Sequence, residues 1–121
     1  MIFGIGCDII EISRIENSMK NPRFLSENFT ESENEYFKSK KYNPQSVAAV
    51  FAAKEAFSKA LGTGISGFLL RDVEVLHDEL SKPYINPLNN AAALVENKKI
   101  YLTLSHCEKY AQAVAVIEDL E

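Results

Sequence analysis

No stretch of the sequence approaches the ~20 consecutive apolar residues that a membrane-crossing helix needs, so no membrane span is expected. Cysteine is scarce. Cys7 and Cys107 are too few for a disulfide framework, and with nothing pointing to an oxidising compartment they are expected to be free thiols in the cytoplasm. Basic charge is not in excess either. Thirteen Lys and Arg stand against 17 Asp and Glu, a net charge of −4, and no basic stripe is interleaved with aromatics, which argues against nucleic acid as a partner. The opening "MIFGIGCDII" is apolar but lacks a basic leader and carries Asp8, so it does not read as a signal peptide. Repeats, low-complexity tracts and linkers are absent too. What is there is an ordinary globular composition, 46% hydrophobic and 25% charged over 121 residues. That suits one domain, 1–121, with a modest core.

Periodicity gives the elements. "IFGIGCDII" reads as a strand, and "EISRIENSMK" as an amphipathic helix with Ile12, Ile15 and Met19 at spacings of three and four. Asn21-Pro22 breaks it, and "PRFLSENF" reads as a helical turn. Thr30 with Glu33 three residues on makes a capping box for a helix ending near Lys41, where Lys38, Lys40 and Lys41 suit a solvated helix end. A long helix is predicted from Pro44 to Leu61, stopped by Gly62. Strands are predicted in "RDVEVL" and "DELSKPYI", a helix in "PLNNAAALVENKK", and strands in "IYLTLSH" and "YAQAVAVIEDL". In the last of these alanine favours helix while Val114, Val116 and Ile117 favour strand. The order β-α-α-α-β-β-α-β-β puts helices early and strands late, an α+β arrangement.

Asp8 lies inside an apolar strand, where a carboxylate needs a partner. Two readings stay open: a cap for the helix beginning at Glu11, or a metal ligand. Glu55 and Lys59, four apart on the long helix, commonly mean a surface ion pair worth ~0.3–0.5 kcal/mol. Asp8 and Glu55 could also supply the one or two carboxylates that Mg²⁺ takes beside phosphate oxygens and water, with Lys54 and Lys59 holding phosphate. "LGTGI" suits a helix stop and tight turn. It is not a P-loop, because its glycines follow a helix and no Gly-Lys-Ser/Thr ends it. Adjacent strand residues face opposite ways, so neither Cys7 with Asp8 nor His106 with Cys107 should share a site, which speaks against a zinc cluster. His77, beside Asp78, reads as a surface loop histidine.

Three segments, "GIGCDIIEISRI", "FAAKEAFSKALGTGI" and "LTLSHCEKYAQAVAVIE", in this order and spacing, resemble bacterial holo-[acyl-carrier-protein] synthases, short members of the 4′-phosphopantetheinyl transferase superfamily. The resemblance spans nearly the whole chain. It implies an antiparallel sheet packed with helices and an enzyme that moves 4′-phosphopantetheine from coenzyme A to a serine of apo-acyl-carrier protein. Adenosine 3′,5′-bisphosphate would be released, Mg²⁺ required, and fatty acid biosynthesis supported. On this resemblance Asp8 and Glu55 would be the catalytic metal ligands, and Lys59 would turn to coenzyme A phosphate. Lys54, Ser58, the turn Gly62, Thr63, Gly64 and Ile65, and His106 would border the coenzyme. The proton acceptor stays open between Glu55 itself and a metal-bound water, His106 being nearer the nucleotide. Arg14, Lys20, Arg23 and Phe24 would dock the acidic carrier protein. Val50 departs from the pattern, since many relatives have an arginine there that can contact coenzyme A. The family's usual homotrimer, with sites between subunits, is also implied, and the apolar "AQAVAVIE" would suit burial at such an interface. Two other classes stay open beside the transferase: a metal-dependent phosphohydrolase, and a coenzyme A or carrier-protein binding module without catalysis.

Overall fold

Small residues mark three segments that the fold brings together: Gly4 and Gly6, the alanines from Ala48 to Ala60, and Ala111, Ala113 and Ala115. In a computed structural model describing residues 1–120, the chain forms β1 (Ile2–Glu11), α1 (Ile12–Ser18), α2 (Phe24–Asn28), α3 (Glu31–Ser39) and α4 (Pro44–Leu61). A 3-10 turn at Leu70–Asp72 leads to β2 (Val73–His77), β3 (Pro83–Pro87), α5 (Asn89–Leu94), β4 (Lys98–His106) and β5 (Tyr110–Asp119). One antiparallel sheet has the order β1-β5-β4, and β2 with β3 makes a separate antiparallel hairpin. The α+β expectation is met, with one helix more before β2 than the expected order β-α-α-α-β-β-α-β-β. The turn expected in "PRFLSENF" is the short helix α2.

Helix α4 lies over β1 and β5, and small side chains set its distance. Ala111, Ala113 and Ala115 of β5 are fully buried beneath it, and Ala52, Ala53, Ala56 and Ala60 of the helix face inward. On β1 the residues under the helix are Gly4, Gly6, Asp8 and Ile10. A Cβ at Gly6 would strike Ala56 O and the Ala60 backbone nitrogen, and one at Gly4 would strike Ala60 O. This resolves the conflict in "YAQAVAVIEDL". Its alanines are strand residues kept small by an overlying helix, and tertiary packing overrides their helix propensity. The same fact divides "AQAVAVIE" between its two faces. Its alanines and Ile117 belong to the chain's own core, and the alternate residues Gln112, Val114, Val116 and Glu118 lie on the other face of the sheet, the one that an interface could cover.

The capping box forms as expected. The Glu33 amide donates to Thr30 Oγ1 at 3.2 Å, and the Thr30 amide donates to Glu33 Oε1 at 2.9 Å. Thr30 Oγ1 also donates to Glu74 Oε2 at 2.6 Å, tying the start of α3 to β2. Thr30→Ala removes the cap and leaves Glu74 one donor short. It is expected to cost about 1–2 kcal/mol, read as a lower urea midpoint with unchanged slope. Helix α3 stops at Ser39, earlier than the expected Lys41, because Lys41 and Tyr42 turn left-handed at φ 56° and 55°. Asn43 then caps α4, accepting from the Gln45 amide at 3.0 Å, with Pro44 at the first helical position. Gly62 ends α4 at φ 83°, a conformation that glycine adopts without a Cβ penalty.

Candidate active site at the seam of β1 and α4

With glycine at positions 4 and 6, the first large side chain on the covered face of β1 toward the helix is Asp8. It meets Lys59, whose Nζ donates to Asp8 Oδ1 at 3.2 Å and to the Cys7 carbonyl at 3.1 Å. The Asp8 side chain is 18% exposed and that of Lys59 is 54%. Glu55 lies one helical turn before Lys59 and is half-buried. Burial raises its carboxyl above the usual glutamate value of 4.5, the negative charge of Asp8 raises it further, and Lys59 opposes both. Asp8, Glu55 and Lys59 therefore share one electrostatic environment. Glu11, the residue before α1, has no side-chain cap bond, and Asp8 does not supply one. Of its two readings the capping role fails.

A hard divalent cation fits this pair. Both carboxylates neighbour the Lys59 side chain, Asp8 through its ion pair and Glu55 one turn away on α4, and the repulsion between them that raises the Glu55 carboxyl is what such a cation relieves. Among the described residues no group of three or more His, Cys, Asp and Glu side chains converges, so the donors here are two carboxylates and not a nitrogen–sulfur cluster. As the alternation requires, Cys7 faces away from Asp8, on the open side of the sheet between Ile5 and Ile9.

Two residues expected at the coenzyme are elsewhere. Lys54 is fully buried, and its Nζ donates to Glu33 at 2.8–2.9 Å, to the Val73 carbonyl at 2.7 Å and to the Leu70 carbonyl at 3.0 Å. All three donors are used, so Lys54 has none for a phosphate. Ser58 is also buried, its hydroxyl turned back to the Glu55 carbonyl at 2.7 Å, and it does not face the cleft. By contrast Gly62, Thr63, Gly64 and Ile65 form an exposed turn one residue-pair beyond Lys59. Gly62 and Gly64 are left-handed, and Thr63 Oγ1 donates to the Gly64 carbonyl at 3.0 Å.

His106 stands apart. It ends β4, the opposite edge of the sheet from β1, in a groove of about 300 Å³ shared with Tyr36, Ser46, His77, Lys82 and Leu104. Ser46 and Ala49 in the first turns of α4 line this groove, whereas Asp8 meets the same helix near its other end, at Lys59. Sequence reasoning missed the groove. His77 is not in a loop but ends β2, stacked on Tyr36 at 4.0 Å and 12°. Burial lowers its pKa, Lys40 lowers it further, and Asp78 opposes. Residues 36, 77 and 106 share no spacing that would have revealed the groove.

On the carrier-protein side, Arg14 of α1, Lys20 and Arg23 are exposed, and Arg23 pairs loosely with Glu27 at 3.5 Å. Phe24 is half-buried, edge-on to Phe29 at 5.7 Å and tilted against Phe51 at 6.3 Å, so its ring also packs at the seam between α2 and α4. Val50 is 1% exposed and packs in the core.

A family model, the 4′-phosphopantetheinyl transferase superfamily, matches residues 4–115. A holo-[acyl-carrier-protein] synthase of Clostridium botulinum is 48% identical, with 98% of each chain covered. A Bacillus anthracis holo-(acyl-carrier-protein) synthase, solved in complex with CoA (3′,5′-ADP), superposes with a TM-score of 0.85 at 37% identity over 98% of each chain. The Neisseria meningitidis holo-[acyl-carrier-protein] synthase reaches 0.90 at 33% identity, covering 98% of this chain and 99% of that one. The chain belongs to the 4′-phosphopantetheinyl transferase superfamily and, within it, to the holo-[acyl-carrier-protein] synthases, which makes it a phosphopantetheinyl-transferring enzyme.

Proposed function

We propose that the chain, as one domain, transfers 4′-phosphopantetheine from coenzyme A to a serine of apo-acyl-carrier protein, with Mg²⁺, in the cytoplasm and in support of fatty acid biosynthesis. The observation that carries this is the meeting of Asp8, Glu55 and Lys59 where Gly4 and Gly6 let α4 close on β1. Asp8 and Glu55 would hold the metal, which when bound neutralises charge on the diphosphate as the phosphorus–oxygen bond breaks. Lys59, half-exposed on a flexible stem, is the cation that reaches phosphate. The left-handed turn at Gly62 and Gly64 lets backbone lie close to the ligand. Arg14, Lys20 and Arg23 give an acidic carrier protein a basic edge to find.

The open face of the sheet supports a homotrimer with shared sites. Ile5 and Ile9 are 68% and 64% exposed there, beside Cys7, Val114, Val116 and Tyr101. Covering such a face takes another protein surface. A neighbouring copy would also bring a His106 groove to an Asp8 seam, which within one chain meet opposite ends of α4.

The test is intact-mass analysis of apo-acyl-carrier protein after incubation with coenzyme A and Mg²⁺. A gain of about 340 Da, one phosphopantetheine, that is lost with chelator is the expected result; a folded enzyme giving no gain overturns the reading. Glu55→Gln is expected to lower kcat/KM by about a thousandfold. It should also raise the metal-free melting temperature at pH 7 by about 2 °C. The sign follows from the raised carboxyl. A group whose pKa is higher folded than unfolded favours the fold only at low pH, and that contribution is lost as pH rises through its folded value. At pH 7 the ionised Glu55 therefore strains the metal-free fold, and glutamine removes the strain. A melting scan of both proteins at pH 5 and pH 7 checks it, the gap narrowing at pH 5.

A further inference from the structure

We propose that Lys59 is a built-in competitor for the divalent cation, holding Asp8 until the diphosphate of coenzyme A draws it away, so that metal and coenzyme load together. The inference rests on the reading of Asp8 and Glu55 as the metal pair. Its geometry is local. The Lys59 ammonium sits on Asp8 Oδ1 at 3.2 Å and on the Cys7 carbonyl at 3.1 Å, so one oxygen of the carboxylate is already taken by a cation. The contact is unequal. Asp8 is largely covered and fixed on a strand, whereas more than half of the Lys59 side chain is in solvent and its head can move. A small divalent ion arriving alone must displace an ammonium and still keep a net positive site. A diphosphate arriving with it offers Lys59 several new anionic oxygens within reach of a four-carbon stem, and Asp8 is released to the metal. The exchange leaves no charge unpaired: the ammonium passes from the carboxylate to phosphate, and one divalent ion neutralises the two carboxylates, Asp8 and Glu55. Linkage then requires reciprocity, with coenzyme A tightening metal binding by the same factor as metal tightens coenzyme A binding. Lys59 thus couples the loading of metal and coenzyme as well as contacting phosphate.

The experiment measures Mn²⁺ binding to the whole protein by electron paramagnetic resonance of free Mn²⁺, with no carrier protein present and so no turnover. Wild type, Lys59→Met, Asp8→Asn and Glu55→Gln are each titrated with and without saturating coenzyme A, after subtraction of Mn²⁺ bound by coenzyme A alone. Methionine keeps the stem that packs beside Gly6, and Lys59→Gln is the second variant if Lys59→Met does not fold. Without coenzyme A, Lys59→Met is expected to bind Mn²⁺ about 1.5- to fivefold tighter than wild type, the range of a partly exposed ion pair. With coenzyme A that advantage is expected to disappear, since in wild type the ammonium has moved to phosphate. Equal affinities without coenzyme A overturn the inference, and so does an advantage that is the same with and without it, which would mean a general field of positive charge and no exchange. Either failure leaves the metal-pair reading standing, provided that Asp8→Asn and Glu55→Gln weaken Mn²⁺ binding in the presence of coenzyme A. If those two variants bind as wild type does, the metal pair itself is wrong and the inference falls with it.

Discussion

Gly6→Ala is expected to cost about 3 kcal/mol and to abolish transfer at temperatures where the variant is still folded. The added methyl would meet Ala56 O and sit 2.6 Å from the Ala60 backbone nitrogen. These are main-chain atoms of a helix and cannot step aside as a side-chain tip can. Either α4 lifts from β1 or the strand bends, and overpacking of this kind typically costs 1–3 kcal/mol, more where only backbone can yield. The loss of activity has a separate cause. Asp8 and Lys59 are brought to 3.2 Å by the same close approach, and a shift of about an ångström at a site can cost a hundredfold in rate. Thermal melting followed by far-UV circular dichroism measures the first effect, with a fall of about 10 °C expected. Intact-mass transfer assays at 15 °C measure the second. Retained activity in a destabilised protein would show that the seam tolerates a wider spacing.

Lys54→Met is expected to cost about 3–5 kcal/mol, the usual penalty for taking one partner from a buried ion pair. The ammonium joins α4 to α3 through Glu33 and to the strand start through the Val73 carbonyl, and it lies 5.2 Å from the centre of the Phe29 ring. Asp72 and Glu74 add negative charge around it. Its removal leaves Glu33 buried, still accepting from the Thr30 amide and from the Val75 amide at 2.8 Å, but with no cation. Burial already raises the Glu33 carboxyl above its ordinary value while Lys54 holds it down. Without Lys54 it rises further. A carboxyl raised in the folded state favours folding at low pH and loses that contribution as pH climbs through the folded value. The deficit of Lys54→Met should therefore be smaller at pH 5 than at pH 8. Urea unfolding at both values tests this, again by circular dichroism, since the chain has no tryptophan. A deficit independent of pH would mean that Glu33 stays ionised by other means.

The two largest effects fall on residues that the sequence presented very differently. Gly6 was visible only as part of an apolar strand, and Lys54 stood beside Glu55 in "FAAKEAF" and so looked like part of its chemistry. Neighbours in a helix point about 100° apart, and here that angle separates the core from the cleft. The partners of Lys54 are 16, 19 and 21 residues away, a distance at which periodicity is silent. What could be read came from local rules: the Thr30–Glu33 capping box, Pro44 and Gly62 at the two ends of α4, and the alternation that turns Cys7 away from Asp8. The pair Asp8 and Glu55 was legible as two acidic residues in need of partners, but only the pleat of β1 and the small residues under α4 show why they meet. The Tyr36–His77 stack and the groove at His106 arise where three distant segments cross, and no single segment carries their signature.

The position of β5 bears on how the molecule is made. It is the middle strand of its sheet and the last element in the sequence, joining β1 to β4, with Cys7 opposite Val114 and Thr103 opposite the same residue from the other side. Until that strand pairs, β1 has no hydrogen-bonding neighbour and the sheet floor beneath α4 is incomplete. The sheet therefore closes only when β5 seats between β1 and β4. Pairing across about a hundred residues is slow on the scale of small domains, and the delay leaves the apolar edge of β1 open to wrong partners.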